Sequence, residues 1–151
     1  MTIYTPSEYC QIFKVGKKKV IGVYKLQSKC KPERIYIGSS VNVTSRISVH
    51  YSAMLYGYST IKLIDHFIEH GRIDFEASII EECSIDVLRE RERYYINLYK
   101  PYFNEQGVNR DVPYKNNKGG STWNEIIQRH EKLLEIRKKI HKEHMAKYQN
   151  I

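Results

Sequence analysis

Apolar and polar positions along this chain alternate between two periods. Val20-Ile21-Gly22-Val23-Tyr24-Lys25-Leu26 is a β-branched and aromatic run, a polar and basic stretch extends from Gln27 to Arg34, and Ile35-Tyr36-Ile37-Gly38 is a second run. Two such runs around a polar loop predict a β-hairpin. Beyond Gly38 the period lengthens: Val43, Ile47, His50 and Met54 fall at helical spacing, with Ser39, Ser40 and Asn42 as candidate N-caps. Ser59 or Thr60 caps a second helix with apolar positions Ile61, Ile64, Phe67 and Ile68, stopped by Gly71. Phe75-Glu76-Ala77-Ser78-Ile79-Ile80 alternates imperfectly and reads as a third strand. Ser84 then caps a helix in which Ile85, Leu88, Glu92, Tyr95 and Tyr99 recur near the 3.6 period, ended by Pro101. The order β-β-α-α-β-α predicts a small α+β domain, a three-stranded antiparallel sheet flanked by helices.

The segment Asn109 to Thr122 breaks every period with Pro113, Asn116-Asn117 and Gly119-Gly120, and a linker is placed over 114–121. From 122 to 151 the chain is free of Gly and Pro, and Ile126, Ile127, His130, Leu133, Leu134, Ile136, Ile140 and Met145 space it as an amphipathic helix. The opposite face carries Arg129, Lys132, Arg137, Lys138, Lys139, Lys142 and Lys147. One compact domain over 1–113 with a helical appendage fits a length of 151 residues.

Charge sharpens this division. The chain has 25 Lys plus Arg against 17 Asp plus Glu, a net +8, of which residues 1–113 contribute +3 and residues 114–151 contribute +5. Such a surplus points to a polyanionic partner without identifying chemistry. Cys10, Cys30 and Cys83 are widely spaced and unpaired in pattern, so neither a disulfide framework nor a zinc ribbon is expected, and a reducing, cytoplasmic setting fits. No signal peptide opens the chain, and no stretch approaches the roughly 20 apolar residues of a membrane helix, so membrane insertion is not expected. Thirteen Tyr against four Phe is unusual, because a phenol both fills a core and offers a hydroxyl at its rim.

One helical position resists a purely structural account. Glu92 lies on or beside its helix's apolar stripe, amid Arg89, Arg91 and Arg93, which angle away from that stripe. A carboxylate near a core needs a metal ion or an arginine, and a Glu–Arg pair would suffice if Glu92 stood alone.

It does not stand alone. Gly22-Val23-Tyr24, Tyr36-Ile37-Gly38-Ser39-Ser40 with Asn42, Arg46 and His50, Leu88 to Ile96 around Glu92, and Pro101-Tyr-Phe-Asn104 stand in one order over about residues 20–105. Together these four blocks closely resemble the GIY-YIG nuclease family. Val23 replaces the Ile of the name-giving motif, a loss of one methylene. Ser39 stands where several members carry Lys, so no lysine-assisted step is expected.

The resemblance implies hydrolysis of phosphodiester bonds with a single divalent ion, Mg²⁺ or Mn²⁺, held chiefly by Glu92. It implies that Arg46 contacts the scissile phosphate, where Lys would replace it poorly. Tyr24 and Tyr36 match the two tyrosines flanking the centre. Tyr24 is favoured as the base that deprotonates water, with Tyr36 orienting it or the water, and positive charge from Arg46 and the metal lowering its pKa. His50, one turn after Arg46, shares the base role, contacts phosphate, or supports the site. Gly22, Gly38 and Ser39 shape the site, and Asn104 is expected to fix sheet and site.

Other signals have blander readings. His66 and His70 stand at the i, i+4 spacing that can hold zinc, but with Asp65 and Glu69 beside them and no Cys near, a solvated helix face is expected. Lys17, Lys18, Lys19, Lys29, Lys31 and Arg34 are candidate DNA-backbone contacts or plain surface. The C-terminal helix is either a DNA-tracking arm through Arg129, Lys132, Lys138, Lys139 and Lys142, or a packing helix with its basic face outward, and the two roles can coexist.

The expected function is a metal-dependent endonuclease on double-stranded DNA, restriction-like or homing-type, with a homodimer natural for a palindromic target. A nuclease-derived binding module without cleavage and a repair nicking nuclease are the alternatives.

Overall fold

The computed structural model describes residues 3–4, 19–104 and 123–149. Lys17, Lys18, Cys10 and the expected linker over 114–121 lie outside the described residues. The elements are β1 (Ile3–Tyr4), β2 (Gly22–Ser28), β3 (Ile35–Ser40), α1 (Val43–Tyr56), α2 (Ile61–His70), β4 (Phe75–Glu82), α3 (Leu88–Tyr99) and α4 (Trp123–Gln149). Single 3₁₀ turns at Arg72–Asp74 and Ile85–Val87 precede β4 and α3.

The expected hairpin forms: β2 and β3 pair antiparallel with Tyr24 opposite Gly38 and Leu26 opposite Tyr36. On its other side β2 pairs antiparallel with β4, and the two-residue β1 adds to the far edge of β4, giving the order β1-β4-β2-β3. The core of the sheet is therefore the expected three strands, and β1 is an addition that sequence reading missed. Two residues carry too little periodicity to be recognised. The β2–β4 register shifts between Val23, opposite Glu81, and Tyr24, opposite Ile79. A bulge of this kind bends the strand locally and re-aims its side chains. Gly22 sits beside it, where a Cβ would run into the Glu81 carbonyl oxygen.

Each face of the sheet buries its own cluster, because strand side chains alternate in direction. Tyr24, Leu26, Tyr36, Phe75 and Ala77 pack with Val43, Ile47, Met54, Leu63 and Phe67 of α1 and α2. Val23, Ile35 and Ile37 point the other way, onto Tyr95 and Ile96 of α3. The α3 stripe is thus shallower than its periodicity suggested: Leu88 alone on that helix is buried.

Caps fall where turn chemistry directs. Asn42 Oδ1 accepts the Ser45 amide at the start of α1, and Thr60 Oγ1 accepts the Leu63 amide at the start of α2. Gly57 ends α1 in the left-handed region at φ 81°. Ser84, expected as a helix cap, instead precedes a 3₁₀ turn and makes no side-chain cap bond, so α3 begins at Leu88.

The C-terminal helix packs on the domain. Leu133 of α4 is 1% exposed within the α1–α2 cluster, and Ile136 lies against it. Arg137 donates to the Leu55 carbonyl at 2.9 Å and stacks over the Tyr56 ring. Arg129, expected on a free basic face, is engaged with Asp65 at 2.7 Å and reaches Glu125 at 3.9 Å. Lys132, Lys138, Lys139 and Lys142 are exposed. Among the described residues no helix is long and apolar enough to cross a membrane.

Candidate active site

The hairpin and α1 bring four of the expected residues to one place. Tyr24 projects from β2 and Tyr36 from β3 onto the same face, while Arg46 and His50 share one face of α1. The Tyr24 hydroxyl lies 2.6 Å from His50 Nε2. The Tyr36 ring packs edge-on against His50 at 4.8 Å and tilted against Tyr24 at 6.4 Å. Tyr24 is 1% and His50 5% exposed, so this contact is buried. Arg46 is exposed, and its guanidinium interacts with the same Tyr24 hydroxyl.

Gly38 makes the arrangement possible. A Cβ there would stand 2.5 Å from the Tyr24 hydroxyl and 2.7 Å from Tyr24 Cζ, with Tyr36 Cε1 at 3.0 Å. The tyrosine hydroxyl thus fills space that any larger residue would claim, a close approach rather than a special backbone angle.

Burial dominates the acidity of Tyr24. Removal from water and the neighbouring Tyr36 push its hydroxyl well above the ordinary phenol value, and the opposing pull of Arg46 does not cancel them. The expectation that positive charge lowers this pKa is therefore not met by the protein's own groups, because desolvation of a buried phenolate outweighs one exposed guanidinium.

Glu92 reaches the site from the other side of the sheet. It stands one turn into α3, half-buried, and accepts a hydrogen bond from the Ser39 hydroxyl at the end of β3. Arg91, one of the expected neutralising partners, is instead committed to Glu81 by two hydrogen bonds of 2.6 and 3.0 Å and lies over the Tyr94 ring. Asn104 pins the strand behind Ser39: its Oδ1 accepts the Ile37 amide at 2.9 Å and its Nδ2 donates to the Ile37 carbonyl at 2.8 Å. Both hydrogen bonds lie one residue from Gly38, where a slip of the strand would move Tyr24 and Ser39 together.

The remaining basic candidates do not join this cluster. Lys29 and Lys31 lie on the turn after β2, beyond Ser28, which is four residues or ~13 Å along the strand from Tyr24. Lys29 approaches Glu76 at 4.0 Å, and Lys19 is exposed before β2.

His66 and His70 depart most from expectation. His66 is 2% exposed rather than solvated: its ring lies 5.1 Å from Phe75 and 5.2 Å from Phe103, and its Nε2 lies 2.6 Å from Asp74 Oδ2. Burial lowers its pKa, though the Asp74 hydrogen bond opposes this. Burial alone would raise Asp74, but hydrogen bonds from Ser28, His66 and the Cys30 amide and thiol override it and hold the carboxyl down to about 2. A cysteine is near after all, because the β2–β3 turn folds Cys30 against this end of α2, with its sulfur 3.6 Å from His70 Nδ1.

Comparison with known proteins agrees with the geometry. Residues 20–107 match the family model of the GIY-YIG catalytic domain. The catalytic domain of the intron endonuclease I-TevI, solved as a point mutant, is 30% identical, with a TM-score of 0.50 over 54% of this chain and 84% of that one. A second structure of the I-TevI homing endonuclease catalytic domain is also 30% identical, with a TM-score of 0.48 over 53% and 88% of the two chains. No curated protein matches the sequence. With the family's catalytic domain spanning more than half its length and the same fold around it, this chain belongs to the GIY-YIG family and is an endonuclease.

Proposed function

We propose that this endonuclease acts on double-stranded DNA, is divalent-metal-dependent, and cuts at specific sites as a restriction-like or homing-type enzyme. The observation that carries the reading is the meeting of Tyr24, Tyr36, His50 and Arg46 at one buried hydroxyl, with Glu92 held by Ser39 two strand positions beyond Ile37.

Glu92 fits a hard divalent ion. It offers a half-exposed carboxylate whose orientation Ser39 sets, the oxygen donor that Mg²⁺ or Mn²⁺ takes together with water and substrate oxygens. When bound, such an ion supplies Lewis-acid stabilisation of the charge on phosphate and leaving oxygens. Arg46, exposed at the rim, binds the scissile phosphate through its planar fork.

Tyr24 takes the proton of the attacking water and passes its own to His50 Nε2 across the 2.6 Å contact. This relay answers the acidity problem. A phenol held above its ordinary pKa is a poor standing phenolate, but the imidazole in contact gives its proton an exit as the new one arrives. Tyr36 packs against both rings and orients them.

The exposed lysines of α4 add phosphate contacts, while the apolar side of that helix belongs to the fold. A second copy cuts the second strand of a palindromic target. The layout is a catalytic domain over 1–113, a link over 114–121 and the C-terminal helix, working in a reducing intracellular setting.

Supercoiled plasmid with Mg²⁺ or Mn²⁺ tests the reading, with wild type beside Glu92→Gln and Arg46→Ala. Cleavage by wild type and its loss in both variants is expected. Unchanged cleavage by Glu92→Gln would overturn the assigned metal ligand. No cleavage by wild type across varied DNAs would favour a binding module instead. Sequenced ends at one short site would support a restriction-like enzyme, and a long degenerate site a homing-type one.

A further inference from the structure

A second group of chemistry-bearing residues lies at the opposite end of β2 from Gly22, outside the nuclease site. Cys30 on the β2–β3 turn, His66 and His70 one helical turn apart on α2, and Asp74 at the start of β4 converge there. One ligand atom from each of Cys30, His66 and His70 lies within 4.8 Å of the others. Asp74 Oδ2 touches both sides of the group, at 3.4 Å from Cys30 Sγ and 2.6 Å from His66 Nε2. We propose that these four side chains form a zinc-class site that clips the β2–β3 turn to α2 and β4.

The separations suit such an ion. Zn–S near 2.3 Å and Zn–N or Zn–O near 2.0–2.1 Å place donors of a tetrahedron roughly 3.5 Å apart. Cys30 Sγ lies 3.6 Å from His70 Nδ1 and 3.4 Å from Asp74 Oδ2, so two edges already have that length. The His66–Asp74 contact, at 2.6 Å, opens by roughly 0.9 Å as hydrogen bond gives way to coordination, and the donors of Cys30, His66 and His70, now within 4.8 Å of one another, draw in to the same spacing.

Orientation supports the same assignment. His66 Nδ1 faces the Arg34 guanidinium at 3.4 Å, which leaves Nε2 as the coordinating atom. His70 presents Nδ1 to the Cys30 sulfur, and its other nitrogen, Nε2, turns to the Glu69 carboxylate at 3.7 Å. The imidazole rings lie 4.4 Å apart, as two ligands of one ion would. The side chain of His66 is fully buried and that of Asp74 11% exposed, so these two donors are held by packing, while Cys30 closes the group from the exposed turn.

The donor set selects the metal. One sulfur, two nitrogens and one oxygen suit Zn²⁺, and Co²⁺ as its stand-in, far better than Mg²⁺. Binding releases the Cys30 proton to solvent, and thiolate plus carboxylate then balance the two positive charges. Four protein ligands close the coordination shell, which makes the role structural: the ion fixes the turn that carries Lys29, Lys31 and Arg34.

The test strips the purified full-length chain with chelator and titrates it with Co²⁺, then Zn²⁺. One equivalent of Co²⁺ is expected to give tetrahedral visible bands and a thiolate charge-transfer band, both erased by Zn²⁺, and Zn²⁺ is expected to raise the urea midpoint. Cys30→Ser should lose the thiolate band and weaken Zn²⁺ binding at least ~100-fold, as should His70→Asn. Cys10→Ser/Cys83→Ser and Glu92→Gln should bind as wild type does. A wild-type titration without tetrahedral bands, or a thiolate band that survives in Cys30→Ser, would overturn the proposal. The wild-type spectrum decides it even if the variants fold poorly.

Discussion

Gly38→Ala isolates the packing that aims Tyr24. The added Cβ would stand 2.7 Å from Tyr24 Cζ, and a relaxed carbon contact needs about 3.5 Å, so the ring has to retreat by roughly 0.8 Å. It cannot swing into solvent, being 1% exposed and wedged between Tyr36 and His50. Overpacking of this kind costs about 1–3 kcal/mol. Displacement by that distance would take the Tyr24 hydroxyl out of its 2.6 Å geometry with His50 Nε2. Misplacement of a reacting group by about 1 Å lowers rate on the order of 100-fold. Single-turnover cleavage of plasmid and urea unfolding, run on the same preparations, would measure both effects. Gly71→Ala is the matched control: φ there is 82° with nothing near the added carbon, so it costs a comparable ~1–3 kcal/mol through the backbone while leaving the site untouched. Cleavage by Gly38→Ala at the wild-type rate, or no slower than by Gly71→Ala, would refute the reasoning.

Three further outcomes are expected. Ser39→Ala removes the hydrogen bond that orients Glu92, so the Mg²⁺ concentration for half-maximal cleavage should rise ~10-fold or more, with the rate recovered at saturating Mg²⁺. Leu133→Ala empties a 1%-exposed position where α4 meets α1 and should cost about 2–4 kcal/mol in urea unfolding; a loss below that range would mean α4 is peripheral to stability. Tyr24 and Tyr51 both have folded pKa values raised by burial above the unfolded value of 10.0, so their stabilisation is complete below pH 10 and is lost as pH climbs toward the folded values. Stability should fall by up to about 2.7 kcal/mol per pH unit above that point, half of it abolished by Tyr51→Phe, as alkaline denaturation would show.

The parts of the fold that depend on near neighbours were legible. Thr60 and Asn42 cap their helices, Gly71 stops α2, and the hairpin closes around the polar loop, all from local chemistry. That Tyr24, Tyr36, Arg46 and His50 would come together was legible through their order, though the sense of the Tyr24 shift was not. That depended on how deeply β2 is buried under α1, a tertiary quantity. The histidines of α2 were misread for a related reason. His66, His70 and Asp74 recur every four residues, but Cys30 stands 36 positions before His66 and only the turn of the hairpin delivers it. Acidic neighbours in sequence, Asp65 and Glu69, suggested solvent, while the side of α2 that bears His66 faces Phe75 and Phe103.

The grip of Asn104 on Ile37 has a consequence for assembly. β3 is the outermost strand of its edge, and an open edge invites another chain to continue the sheet. Here that invitation is withdrawn: the Phe103 amide donates to the Ile35 carbonyl at 3.0 Å, and the Asn104 amide group occupies both backbone groups of Ile37. A second chain therefore cannot continue the sheet through the Ile35 and Ile37 positions of β3. An approaching chain meets the Phe103–Asn104 segment there rather than a bare strand edge.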